Sequence, residues 1–72
     1  MQYIYVMTCG SEWEDMVIYL TKEEAIRVSI QYPTIPIEIF AKNPDLTGYR
    51  PTYNYYRDGI MYDSNGNILV AE

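Results

Sequence analysis

The chain has one cysteine and no histidine, and this sets the terms on which 72 residues can fold. An intrachain disulfide needs two thiols, and a tetrahedral zinc site needs several Cys or His ligands. The sequence can supply neither. Below about 80 residues a hydrophobic core by itself rarely contributes more than about 3–5 kcal/mol. Association with a partner is the remaining way to extend such a core. The hydrophobic share, 49%, is enough to drive collapse. A lone thiol, and an opening Met1-Gln2-Tyr3-Ile4 without the marks of a leader, point to a soluble protein of a reducing, intracellular compartment. No run approaches the ~18 apolar residues of a membrane span, so no membrane partner is expected.

Apolar spacing then divides the chain. Gln2 to Thr8 alternates, with Tyr3, Tyr5 and Met7 on one side and Ile4, Val6 and Thr8 on the other. Both faces carry apolar residues, which predicts a strand inside a sheet. Cys9 to Asp15 (CGSEWED) breaks the pattern, with Gly10 and Ser11 as turn residues. Met16 to Leu20 alternates again and predicts a hairpin partner. Pro36 to Ala41 reads as a third strand, Asn43 to Pro51 as a loop, and Tyr53 to Arg57 as a fourth strand. Asp58-Gly59 and Asn65-Gly66 are both type I′ hairpin signals, around Ile60 to Tyr62 and ahead of Ile68 to Val70.

Between the second and third strands the period changes. Thr21 is a good N-cap with Glu24 three residues on, the pattern of a capping box. Ala25, Ile26, Val28, Ser29, Ile30 and Tyr32 form one broad apolar arc, with Ile26 and Ile30 expected in the core. Glu23 and Arg27 stand at i,i+4 spacing for an ion pair. Pro33 disfavours helical geometry at Tyr32 and ends the helix. The expected fold is a single α+β domain over 1–72. It is an antiparallel sheet with one helix packed on a face, in the order β-β-α-β-β-β.

The stretch Tyr3–Ile30 resembles small uncharacterised ββα domains of phages, bacteria and large DNA viruses. The shared outline is an apolar strand ending in Thr-x-Gly, an acidic or aromatic tip, a second strand and a Thr-x-Glu-Glu-Ala helix start. Tyr5, Val6, Thr8, Gly10, Asp15, Val17, Tyr19, Thr21, Glu23, Glu24 and Ala25 carry it here. The Tyr-rich acidic tail is similar in style to proteins of giant viruses of the marseillevirus group. The resemblance implies a fold and a viral source, with host cytoplasm, nucleus or virion as the place of action. It implies no reaction.

The net charge is −5, and the five cations Lys22, Arg27, Lys42, Arg50 and Arg57 are scattered. Nucleic-acid binding rests on clustered Lys and Arg, so no nucleic-acid partner is expected. An acidic surface suits a basic protein partner or plain solubility. Tyrosine occurs nine times, and its large apolar body with a polar tip favours interfaces.

Few groups could carry chemistry. Cys9 lies between a strand and a Gly-containing loop, but a thiolate nucleophile needs a base or a positive neighbour. Its neighbours are Glu12, Glu14 and Asp15, so it reads as an inert, partly buried cysteine. Asp63-x-Asn65-x-Asn67 begins like a calcium loop, yet the position that needs glycine is Ile68 and the chain ends before the bidentate glutamate. The turn reading of DSNGN accounts for every residue. No Gly-rich phosphate loop, nucleophile elbow, cofactor motif or catalytic set occurs. The expectation is a protein with no enzymatic activity, no cofactor and no metal.

Two groups remain as candidate protein-binding residues. Glu12, Trp13, Glu14 and Asp15 form a tip that either offers an aromatic anchor with an acidic rim or folds its indole back onto the sheet. The usual burial of tryptophan favours the second. Tyr53, Tyr55 and Tyr56, with Tyr49 and Tyr62 nearby, form either an interface or ordinary two-sided strand filling. A stacking platform for single strands would need a positive groove, which Arg50 and Arg57 against Asp58 and Asp63 do not make. The functional expectation is a non-enzymatic interaction or structural protein that forms a homodimer. The alternative is an acidic inhibitor or nucleic-acid mimic that binds a basic protein.

Overall fold

The structure, a computed structural model, describes residues 2–10 and 12–71. Six strands follow the chain as β1 (Gln2–Thr8), β2 (Met16–Tyr19), β3 (Ile37–Lys42), β4 (Arg50–Arg57), β5 (Ile60–Tyr62) and β6 (Ile68–Ala71). One helix, α1 (Lys22–Gln31), lies between β2 and β3, and a 3-10 turn, Trp13–Asp15, precedes β2. The class is α+β, as expected. The order is β-β-α-β-β-β-β, with one strand more than expected, because Ile68–Ala71 pairs with β5 across a register shift between Met61 and Tyr62.

The strands form one antiparallel sheet in the order β2-β1-β3-β4-β5-β6. Both β2 and β3 run antiparallel to β1, so they run parallel to each other. A hairpin cannot join parallel strands, and α1 is the crossover of a split βαβ unit. Crossing one strand carries α1 over a single face of the sheet. Tyr5, Met7, Ile37, Ile39 and Tyr56 point toward it and, with Ala25 and Val28, make the core.

Thr21 caps the helix as expected, its hydroxyl accepting from the Glu24 amide at 3.3 Å. The ion pair differs from expectation: Arg27 reaches Glu24 at 3.8 Å, one turn back at i,i+3 spacing. The broad apolar arc also narrows. Ala25, Val28 and Ser29 are buried and Ile26 packs at the core margin, while Ile30 is 54% exposed. A helix meets a flat sheet along a stripe. At about 100° per residue, Ile30 lies well round the helix from the stripe centred on Ala25, Val28 and Ser29. Tyr32 has left the helix and is exposed at its C-cap.

Ser29 holds the helix on the sheet. Its hydroxyl donates to the Ile26 carbonyl at 2.7 Å and accepts from the Gly59 amide at 2.9 Å. Gly59 is the second residue of the β4–β5 turn, where Asp58 and Gly59 both have positive φ (52° and 78°), as a type I′ turn requires. A Cβ on Gly59 would stand 3.0 Å from Ile30 Cγ1, so glycine serves both the turn and the close approach of the helix.

Asn65-Gly66 does not form a second turn of that kind. Only Gly66 has positive φ, at 84°, and five residues, Asp63 to Asn67, join the strands, closed by the Asp63 amide on the Asn67 carbonyl at 2.9 Å. Asp63 organises it, one carboxylate oxygen accepting the amides of Asn65 at 2.9 Å and Asn67 at 3.0 Å. These bonds hold the Asp63 carboxyl below its ordinary range, and they account for the DSNGN sequence as a turn.

The other departure is in β4, which begins at Arg50 inside the expected loop. Pro51 pairs with Phe40, which is tolerated because β5 pairs only with Tyr55–Arg57 and leaves the outer side of Pro51 open. Between the pairs Phe40–Pro51 and Glu38–Tyr55 the register shifts. Three residues, Thr52 to Asn54, stand opposite Ile39 alone. Tyr53 takes φ of 68°, a left-handed value rare for a bulky side chain. The bulge is held by Thr52, whose hydroxyl donates to the Ile39 carbonyl at 2.7 Å and accepts from the Asn54 amide at 3.2 Å.

Candidate functional site

The seven residues singled out in the sequence fall into four places. Glu12, Trp13, Glu14 and Asp15 form the β1–β2 tip. Trp13 is 79% exposed, against the expectation that its indole folds back onto the sheet. The reason is local: the 3-10 turn, closed by the Asp15 amide on the Glu12 carbonyl at 3.1 Å, lifts Trp13 beyond the sheet's end. The turn role of Ser11 lies outside the described residues. Cys9, expected to be partly buried, is exposed.

The tyrosines separate. Tyr56 is 1% exposed and its ring belongs to the core, tilted against Tyr5 at 6.0 Å, so it offers little to a partner. Tyr55 points to the opposite face and stacks on Tyr62 at 5.4 Å. Tyr53 stands on the bulge, two-thirds exposed. Alternation in a strand sends neighbouring tyrosines to opposite faces, and the bulge at Tyr53 interrupts that alternation.

Three features were not foreseen. The first is the face of the sheet away from α1. Ile4, Val6, Ile18, Phe40, Tyr55 and Tyr62 share it, by their pairing across the strands. No layer covers it among the described residues. Glu38 stands in its middle between Val6 and Tyr55, and burial pushes its carboxyl pKa up.

The second is β2 itself. It pairs only with β1 and forms one edge of the sheet. Met16, Val17, Ile18 and the following Leu20 are all exposed, by 39% to 73%. Natural edge strands are guarded by charges, prolines or bulges. The run Met16 to Leu20 has none of these.

The third is a cavity of about 400 Å³ on the helix side, lined by Tyr3, Tyr5, Lys22, Ile39, Thr52, Asn54, Tyr56 and Met61. α1 begins at Lys22 and leaves this end of the sheet open. The bulge brings Thr52 and Asn54 into the wall. Lys22 is the one charged side chain lining the cavity among the described residues. Burial raises the Tyr5 hydroxyl pKa, against a lowering by Lys22 and with a further rise from Glu23. Nothing in the sequence marks a bulge at Thr52–Asn54, and without it Tyr3 and Asn54 have no reason to meet.

Comparison with protein-family models, with curated proteins and with solved structures finds no match. Among the described residues no helix is long and apolar enough to cross a membrane.

Proposed function

We propose that this chain is a non-enzymatic interaction protein that acts as a homodimer, paired through β2. The observation that carries the reading is the unguarded edge: five consecutive apolar residues, four of them exposed and Tyr19 packed against the core, with one row of backbone hydrogen-bonding groups facing away from β1. A second copy of β2 is the natural complement. Strand addition supplies main-chain hydrogen bonds, and the exposed Val17 and Ile18 supply apolar contact. Two-fold pairing of β2 with its copy is antiparallel and self-complementary, the commonest closed arrangement. It keeps both helices on one side of a continuous sheet. It also extends a core that is small for an independent fold.

The test is mass in solution by light scattering over a dilution series, for the wild type and Ile18→Lys. A charge on an exposed edge position is the guard this strand lacks. The wild type should measure as a dimer, and Ile18→Lys as a monomer with an unchanged circular dichroism spectrum. A wild-type monomer at every concentration would sink the reading. A folded Ile18→Lys dimer would move the interface away from β2.

A further inference from the structure

Trp13 and the cavity are complementary in four respects, and we infer that the cavity seats Trp13 of a second copy. Its walls are aromatic and apolar, chiefly Tyr3, Tyr5, Ile39 and Met61, and an indole packs well against rings and a thioether. A buried indole N–H needs an acceptor. The Asn54 carboxamide, half-buried in the wall, makes no hydrogen bond of its own among the described residues. The acidic rim of Glu12, Glu14 and Asp15 travels with Trp13, and the one charge lining the cavity is the cation Lys22. The volume, about 400 Å³, is within the range of sites that enclose a small aromatic group.

The indole must come from another copy. Tyr3 and the tip stand at opposite ends of β1, and the strand from Tyr3 to Thr8 alone spans about 17 Å. Within its own chain Trp13 remains 79% exposed. The inference rests on the pairing of β2 with its copy, which supplies the geometry. The Met16 end of β2 adjoins the tip, and its Tyr19 end leads to Lys22 at the cavity. Antiparallel pairing sets the Met16 end of each copy beside the Tyr19 end of the other. Each tip is then carried toward the other copy's cavity, and the contact is made twice.

Trp13 is the only tryptophan, so its fluorescence reports the contact directly. Emission and acrylamide quenching of the full chain should be followed alongside light scattering over the same dilution series. In the dimer the emission should be blue-shifted and shielded from acrylamide, and both signals should revert as the dimer dissociates. Trp13→Ala should weaken association by about thirtyfold or more, the loss typical of a buried aromatic anchor. Lys22→Glu should weaken it too, and Glu14→Lys in the same chain should restore part of the loss. A dimer whose Trp13 stays red-shifted and fully quenchable would overturn this inference and leave the β2 pairing standing. A monomer throughout would remove both. Free indole that binds the chain without competing with association would assign the cavity to a small ligand instead.

Discussion

Ser29 and Tyr53 show how single residues fix this fold. Ser29 is wholly buried in a helix face that must otherwise be apolar, and its hydroxyl answers the Gly59 amide. Ser29→Ala leaves that amide without a partner where water is excluded. The expected loss is about 1–3 kcal/mol, read as a lower denaturant midpoint at unchanged slope. Tyr53 works in the opposite direction. A non-glycine residue at φ of 68° carries about 1–3 kcal/mol of backbone strain. Its ring is two-thirds exposed and returns little packing. Tyr53→Gly should therefore raise stability by about 1 kcal/mol, after glycine's own entropy cost of about 0.5–1 kcal/mol. A melting temperature equal to or below wild type would mean that the ring contributes more than its exposure shows. Neither role is legible in the sequence. A serine in an apolar arc reads as filler until the turn that needs it is placed, and Tyr53 looks like ordinary strand alternation.

At the scale of elements most of the fold was legible, because it rests on local rules. Alternation located β1, β2, β3 and β5, Thr21 and Pro33 bounded α1, and Asp58-Gly59 set its turn. What escaped depends on partners distant in sequence. The start of β4 at Arg50 is decided by β3, and the exposure of Ile30 by where the sheet lies under the helix. Glu38 shows the same limit. Its place in β3 was read correctly, yet only the neighbouring strands make its surroundings apolar. Its raised pKa means that the folded chain holds the proton better than the unfolded one. That contribution is fully present below the ordinary value of 4.5 and is lost as pH rises through the higher folded value. Glu38→Gln should accordingly melt above wild type at neutral pH, with the gap closing as pH falls through the raised folded value to 4.5. A gap that stays constant with pH would place its origin in packing.

Among the described residues the molecule is a single layer of strands under a single helix, and its apolar surplus lies on an edge and an open face. The candidate site was legible only in part: the sequence marked the tip, but an exposed Trp13 and a cavity at the far end are products of topology. An acidic mimic would release its basic partner as salt rises, whereas a strand pair held by backbone hydrogen bonds would persist, losing only what Lys22 and the acidic rim add. The Ser29–Gly59 tie has a last consequence, for the order of events during synthesis. The first two strands and the helix leave the ribosome before Ile37, Tyr56 and Gly59, the residues against which the helix closes. Until those residues emerge, α1 has only the part of its floor that Tyr5 and Met7 supply. The native core therefore forms only when most of the chain is present, as expected where decisive contacts are far apart in sequence.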